Sequence, residues 1–288
     1  MYPLDFDGKL VFFPTEDNLK TSGFLMPARG KDVVLFVHGM GGNFYKDGFL
    51  KGARELVKRD VAFFSFNTRG AEVVKDFRDI NGEHHMLGTA FEIFEDTVKD
   101  ISAAITYLTN IGYEKFHLLG HSTGCQKILF YQYSTQDERV KSLIHVSPAE
   151  DYEIWKNELG VDFERFVAIA KDMMDKGEGN RIIIPLYERT GELWSARRFL
   201  SFADKSNMEA RMFDYKNLSI FSQIRTPTLI FLGKDDQYFL KDLEWYKEKL
   251  ERSYKGEKIK IEIMPGDHSF HGYEDILFRR IAEFIKDL

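Results

Sequence analysis

The feature that most constrains the fold is a continuous apolar run, DVVLFV at residues 32–37, which stops at a His-Gly pair. A strand that is buried on both faces has a continuous run of this kind rather than an alternating pattern. Similar short runs recur along the chain and alternate with longer segments whose apolar residues follow helical spacing. This alternation predicts an α/β fold, with a mostly parallel sheet and helices on both of its faces.

The strand pattern occurs in roughly eight segments, so a sheet of about that size is expected. The predicted strands are residues 10–13, 22–26, 32–37, 61–66, 116–119, 142–146, 228–232 and 259–264, of which the first two indicate a hairpin. Helical spacing marks residues 43–58, 91–108, 124–133, 241–252 and 273–288. Strands and helices therefore take turns along most of the chain.

The alternation breaks between residues 150 and 217, where helical patterns follow one another without strands. These patterns lie at 154–159, 163–174 and 196–202, beside an isolated Ile-Ile-Ile-Pro at 182–185. Their apolar faces need a surface to cover, because an amphipathic helix buries its apolar stripe against a neighbour. We therefore predict a core formed by residues 1–149 and 218–288, and a helical cap or lid formed by residues 150–217.

The composition argues against several functional classes. A net charge of −6 and an isoelectric point near 5.8 disfavour a dedicated nucleic-acid binder, whose surface is basic. The single cysteine, Cys125, allows no intramolecular disulfide and no multi-cysteine metal cage, which suits a reducing cytoplasm. The sequence has neither a secretory signal pattern nor an apolar run of about 20 residues. We expect a cytoplasmic protein without a membrane span.

The stretch HLLGHSTGCQ at 117–126 contains a candidate nucleophile, Ser122. Residues 120–124 match G-x-S-x-G between a predicted strand and a predicted helix, which is the context that this motif requires. An ordinary glycine-rich turn is the alternative interpretation. A serine hydroxyl is a poor nucleophile at neutral pH, so Ser122 needs a histidine base, an acid that orients the base, and donors for an oxyanion.

The candidate base is His268, in the loop PGDHSF at 265–270 between the last predicted strand and the last helix. Functional groups of an open parallel sheet lie at the carboxyl ends of its strands, where this loop begins. His121 flanks the nucleophile and is interpreted as a structural residue. His84 and His85 lie in a polar loop that shows no matching set of metal ligands, so we predict no metal site.

The candidate acid follows another strand end, in the sequence Gly-Lys-Asp-Asp at 233–236. Asp236 is the favoured residue and Asp235 is its close rival. The alternative interpretation of either carboxylate is that it forms a turn or caps the helix that follows. Because the loop lies between Ser122 and His268 in chain order, it completes the order Ser, Asp, His.

Two backbone N–H groups are needed for the oxyanion. One is expected from Thr123, the residue after the nucleophile. The other is expected from Met40, in the loop HGMGGN at 38–43, where Gly39 and its glycine neighbours let the backbone approach a substrate. Such a loop also suits a phosphate, but this one does not match G-x-x-x-x-G-K-[ST].

These motifs make the chain resemble the α/β-hydrolase superfamily over nearly its whole length. The residues concerned are HGMGG at 38–42, GHSTG at 120–124, GKDD at 233–236 and GDHSF at 266–270. The chain is also similar to the DUF1749 type, largely uncharacterised hydrolases related to fungal siderophore esterases, through residues 88–101 and 195–207. The resemblance implies ester or amide hydrolysis through an acyl-enzyme, with Ser122, Asp236 and His268 as the triad.

We therefore expect a serine hydrolase that cleaves carboxylic esters of a small or medium substrate, without a metal or organic cofactor. Aromatic residues of the insertion, among them Trp155 and Trp194, indicate a partly apolar or aromatic substrate. Packing of the lid on the core is the alternative interpretation of these residues. Arg197 and Arg198 are candidates for binding an anionic group. A thioesterase, an amidase, a lipase-like enzyme and a non-hydrolytic ligand-binding protein of this fold remain as alternatives.

Overall fold

The structure, a computed structural model, describes residues 6–288, so the first five residues of the predicted core lie outside the described residues. Its strands are β1 (Lys9–Pro14), β2 (Lys20–Met26), β3 (Asp32–Val37), β4 (Ala62–Phe66), β5 (Lys75–Arg78), β6 (His84–Leu87), β7 (Lys115–His121), β8 (Val140–Val146), β9 (Thr228–Gly233) and β10 (Ile259–Met264). Every predicted strand is present, and these strands form one eight-stranded sheet. The small β5–β6 hairpin was not predicted.

The large sheet has the strand order β1-β2-β4-β3-β7-β8-β9-β10. β1 pairs with β2, and β2 with β4, in the antiparallel sense. All the other neighbours in this sheet are parallel. The carboxyl ends of β3, β7, β9 and β10 therefore meet at one edge, and the loops that carry the motifs all begin there.

Ten helices connect or follow the strands in the described part of the chain. They are α1 (Asp47–Val57), α2 (Thr97–Asn110), α3 (Thr123–Thr135), α4 (Asp151–Leu159), α5 (Phe163–Asp175), α6 (Ile184–Thr190), α7 (Ala196–Ala203), α8 (Glu209–Met212), α9 (Leu243–Ser253) and α10 (Glu274–Lys286). None of the helices among residues 6–288 is long and apolar enough to cross a bilayer.

The continuous apolar run of β3 is explained by cores on both faces of the sheet. Val33 and Leu35 point into one apolar cluster, which includes residues of α2, α3 and α9. Val34 and Phe36 point into a second cluster, which includes residues of α1 and α10. Because side chains alternate along a strand, a run buried on both sides has no polar positions. The α/β-hydrolase arrangement of a mostly parallel sheet between helical layers is confirmed.

The helices α4–α7 share a separate apolar cluster, which includes Leu159, Phe166, Leu186 and Phe199. The end of the predicted insertion differs, because Phe213 and Tyr215 are buried in the cluster of the core. The α6 helix was missed as a helix, since its seven residues are few and begin with Ile-Pro. Proline is tolerated there because the first turn of a helix leaves its N–H groups without partners.

Candidate active site

Ser122 occupies the tight turn between β7 and α3. Its backbone has φ 55° and ψ −129°, a combination that L-residues rarely adopt. Its N–H donates to the Val146 carbonyl at 3.0 Å, and its carbonyl accepts from Cys125 N–H at 2.8 Å. The turn is therefore fixed from both sides, and strain of this kind persists only where surrounding contacts impose it.

Gly124 is required at its place in the motif by close backbone packing. A Cβ on this residue would lie 2.1 Å from the Val37 carbonyl oxygen at the end of β3. No side chain fits in that space, because real Cβ contacts below 3.0 Å are essentially never seen. The start of α3 thus packs directly on β3, which brings the loop after β3 beside Ser122.

Asp236 and His268 form a hydrogen-bonded pair at the ends of β9 and β10. The His268 Nδ1 atom lies 2.9 Å from the Asp236 Oδ2 atom, and the carboxylate side chain is fully buried. The other oxygen, Oδ1, accepts from the Tyr238 N–H at 3.0 Å. Asp235 is exposed, and only its backbone N–H is engaged, by the Gly266 carbonyl. Of the two candidate acids, Asp236 is the one that contacts His268.

His121 supports the loop of His268, a role that the sequence did not reveal. Its Nε2 atom lies 2.8 Å from the His268 carbonyl oxygen, so Nε2–H is the donor. Its Nδ1 atom accepts from Lys46 Nζ at 3.3 Å, and the same ammonium donates to the Ser269 hydroxyl. Burial, and then the Lys46 charge, hold the pKa of His121 well below its usual value. This bonding pattern requires a neutral His121 whose proton is on Nε2.

His38 stabilises the loop after β3 through hydrogen bonds of its imidazole ring. The pKa of His38 is lowered to about 3, by burial and then by the nearby Lys127 charge, so the ring is neutral. Its Nδ1 atom lies 2.9 Å from the Gly39 carbonyl oxygen and donates to it, while Nε2 accepts from Thr68 N–H at 3.1 Å. A Cβ on Gly39 would lie 2.8 Å from the Ser122 Cβ. Glycine is therefore what permits this loop to touch the candidate nucleophile.

The two predicted oxyanion donors lie on either side of Ser122. Next to Met40, Gly41 N–H donates to the Thr89 hydroxyl at 2.7 Å, and Gly42 N–H donates to the Gly39 carbonyl. Within the described chain, the N–H groups of Met40 and Thr123 have no hydrogen-bond acceptor. Two unused donors beside a serine are what an oxyanion hole requires.

Residues from the loops described above line a single cavity of about 480 Å³. Ser122, His268, Met40 and Thr123 all line it, as does Gly39. Residues of the predicted cap also line it, among them Asp151, Ile154, Trp155, Glu158, Leu193 and Trp194.

The two tryptophans that were predicted to bind substrate, Trp155 and Trp194, both line this cavity. The Trp155 and Trp194 rings meet edge to face, with their centroids 5.6 Å apart. Trp194 is 3% exposed, so most of its surface serves packing. Other aromatic residues of the insertion, such as Phe166 and Phe199, are buried inside the α4–α7 cluster instead. The insertion therefore uses its aromatic residues for its own core and presents two indoles to the cavity.

A fully buried ionic cluster lies beneath the cavity. Lys127 Nζ donates to Glu92 at 2.7 Å, and Arg198 lies 3.3 Å from the same carboxylate. Arg198 also pairs with Glu209 through both terminal nitrogens, and its Nε donates to the Thr89 carbonyl at 3.2 Å. The expectation that Arg198 binds an anionic substrate group was wrong, because its guanidinium is buried and already fully engaged.

The two histidines at 84 and 85 lie on a hairpin strand, β6, rather than in a loop. Asp79, Glu83 and His85 each place one possible ligand atom within 4.8 Å of the others, a set that sequence inspection had overlooked. Asp79 Oδ1 already accepts from the Asn81 and Glu83 N–H groups of the connecting turn. These side chains do not line the cavity of Ser122.

Comparison with known proteins adds the family. The model of a family described as a protein of unknown function, DUF1749, matches residues 88–264, more than half of the chain. The chain belongs to the DUF1749 family. This confirms the narrower of the two resemblances. No curated protein matches the sequence significantly.

Several solved structures share the fold at low sequence identity. The siderophore hydrolase EstB from Aspergillus fumigatus has a TM-score of 0.72 at 17% identity, with 98% of each chain covered. Est1E from Butyrivibrio proteoclasticus with ferulic acid bound has a TM-score of 0.67 at 15% identity, over 96% of this chain and 98% of that one. The α/β hydrolase GrgF from Penicillium sp. sh18 has a TM-score of 0.66 at 19% identity, over 98% and 99%. These similarities establish the α/β-hydrolase fold.

Proposed function

We propose that this protein is a serine hydrolase that cleaves carboxylic esters through an acyl-enzyme. The observation that carries the proposal is the Asp236–His268 pair, joined at 2.9 Å, whose His268 lines the same cavity as a strained Ser122. Buried carboxylate, imidazole and serine at the ends of three strands are the parts that nucleophilic acyl transfer needs. Two proteins of the same fold, the siderophore hydrolase EstB and the Pyrococcus furiosus esterase Pf2001, have names that agree with this chemistry.

The proposed reaction begins when His268 removes the proton of the Ser122 hydroxyl as it attacks the ester carbonyl. Because Nδ1 of His268 donates to Asp236, Nε2 is the bare nitrogen and therefore the base. Asp236 holds this tautomer and stabilises the imidazolium that forms. His268 then protonates the leaving alcohol, and water hydrolyses the acyl-enzyme by the same steps in reverse.

The oxyanion of each tetrahedral intermediate is assigned to the N–H groups of Met40 and Thr123. Removal of one such donor costs about 3–4 kcal/mol of transition-state stabilisation in a related arrangement. Both proposed donors are backbone groups. The direction of the Met40 N–H therefore depends on the conformation of its loop, which Gly39 and His38 maintain.

The proposed substrate is small or medium and partly apolar or aromatic. A cavity of about 480 Å³ is within the usual range for small-molecule sites, and its wall presents Trp155 and Trp194. We propose that residues 150–217 act as a cap, which the separate apolar cluster of α4–α7 supports. We also propose a cytoplasmic location, which the single cysteine, Cys125, supports because it allows no intramolecular disulfide.

The proposal is tested with a fluorophosphonate probe and short-chain p-nitrophenyl esters. We expect the probe to label Ser122 in the folded protein, and Ser122→Ala to abolish both labelling and turnover. Ser134→Ala, an exposed serine on α3, is the matched control and should behave as the wild type. An unlabelled, folded wild-type protein would sink the enzyme proposal and favour a ligand-binding protein of this fold. Thioesters and amides compared with esters under the same conditions decide between the alternative hydrolases.

A further inference from the structure

Asp151 is a carboxylate of the cavity wall that the proposed mechanism does not use. Its Oδ2 atom accepts from Gln126 Nε2 at 3.0 Å and from the Thr123 hydroxyl at 3.3 Å. Both donors are neutral. Across residues 6–288, no Lys, Arg or His nitrogen lies within 4.0 Å of this carboxylate.

Three carboxylates that are buried in the protein have a cation beside them. Glu92 contacts Lys127 at 2.7 Å, Glu209 contacts Arg198, and Asp236 contacts His268 at 2.9 Å. Buried charges are generally paired, because an uncompensated charge removed from water is costly. Asp151 is partly buried and has no such partner, and it lines the cavity.

The surroundings of Asp151 oppose its negative charge. Burial and then the Glu209 carboxylate raise the pKa of Asp151 to about 7, while Arg198 of α7 and the Thr123 hydroxyl work in the other direction. Glu150, the preceding residue, adds to the increase. Two further carboxylates, those of Glu158 and Glu192, line the cavity, whereas the ammonium that lines it is that of Lys46. An added cation would therefore be attracted to this wall.

The position of Asp151 also matters for the reaction. Its hydrogen bond to the Thr123 side chain places the carboxylate next to the proposed oxyanion donor, the N–H group of the same residue. A negative charge there opposes the negative charge that develops in the transition state, and the opposition is strong where water is excluded. A cation between the two would cancel it.

We infer that Asp151 binds a cationic group of the substrate, an ammonium a few bonds from the scissile carbonyl. The inference rests on the proposed function and names the substrate class more narrowly, as esters that carry an amine. The ammonium would complete the ion pair that Asp151 lacks. It would also offset the charge of Asp151 while the oxyanion forms.

The test compares two matched sets of p-nitrophenyl esters. One set has ω-ammonium acyl chains of increasing length, and the other has alkanoyl chains in which a methyl replaces the ammonium. The quantity measured is the ratio of kcat/KM for each ammonium ester to that for its neutral partner, divided by the ratio of their uncatalysed rates. We expect the best pair to give a ratio above one, and Asp151→Asn to lower it by about tenfold or more.

Asp172→Asn is the control, the same change at an exposed position on α5 outside the cavity, and it should leave the ratio unaltered. Probe labelling of Ser122 in each variant verifies that the site is folded. The ratio should also rise between about pH 6 and pH 8, because Asp151 ionises while an alkylammonium stays protonated. In Asp151→Asn the ratio should not change with pH.

The inference is overturned if the wild type prefers the neutral ester at every chain length, or if Asp151→Asn keeps the wild-type ratio. Failure of the proposed function has a different signature. No ester is turned over, and the fluorophosphonate probe does not label Ser122. In that case the same pairs of esters are compared as ligands by calorimetry. Binding that favours the ammonium and requires Asp151 then supports the inference, and equal binding of the two sets contradicts it.

Discussion

The backbone strain at Ser122 gives a stability prediction that is independent of catalysis. Ser122→Ala and Ser122→Gly both remove the hydroxyl, so both variants should be inactive. Only glycine adopts φ 55° and ψ −129° without a steric penalty, because it has no Cβ. We expect Ser122→Gly to be the more stable of the two proteins, although it loses more of the side chain.

The magnitude follows from two opposing effects. A residue in a sparsely populated backbone region costs about 1–3 kcal/mol. Glycine gives back part of this, since its greater freedom in the unfolded chain costs about 0.5–1 kcal/mol. The free energy of unfolding of Ser122→Gly should therefore exceed that of Ser122→Ala by about 0.5–2 kcal/mol.

Urea denaturation followed by tryptophan fluorescence and by circular dichroism measures this difference. Ser134 provides the control, because it lies in the regular helix α3, where glycine should be less stable than alanine. The sign of the effect should therefore reverse between the two sites. If Ser122→Gly proves no more stable than Ser122→Ala, the turn is not strained and the reasoning fails.

Three further predictions concern the acid, the loop after β3 and the buried ionic cluster. Asp236→Asn should lower kcat by about a thousandfold or more, as in other triads, while Asp235→Asn should change it little; the reverse order in steady-state kinetics would exchange their roles. Gly39→Ala should lower kcat by about a hundredfold, because its Cβ would lie 2.8 Å from the Ser122 Cβ; near-normal kcat would show that the loop adapts. Lys127→Met should destabilise the protein by about 3–5 kcal/mol in urea, with part of the loss recovered when Glu92→Gln is added; purely additive effects would contradict a coupled pair.

The residues that sequence inspection found share one property, which is that a local pattern marks each of them. Ser122 lies in a five-residue motif, and Asp236 and His268 follow glycines at predicted strand ends. Parallel strands bring such ends to one edge of a sheet whatever their separation in the chain. The eight strands of the large sheet were predicted for a similar reason, since continuous apolar runs mark strands buried on both faces.

The residues that were missed act through partners distant in sequence. His121 bonds the backbone of His268, which lies 147 positions away, so no local pattern could show the contact. Lys127 lies on α3, which is covered on nearly all sides, so its side chain is fully buried although lysine is usually an exposed residue. The role proposed for Asp151 depends on the cavity that this residue lines. In each case, tertiary packing rather than residue type decides the chemistry.

The contacts of Arg198 bear on how a substrate enters the cavity. This side chain belongs to α7 of the predicted cap, yet it is bonded to the Thr89 carbonyl, and the Thr89 hydroxyl accepts from Gly41 N–H in the loop after β3. If α7 swung outward, it would separate buried ion pairs, at a cost of several kcal/mol. It would also pull on the loop that holds Met40. The contacts of Arg198 therefore argue against an outward movement of α7, and a graft of another cap onto this core would need to keep Arg198 and its partners.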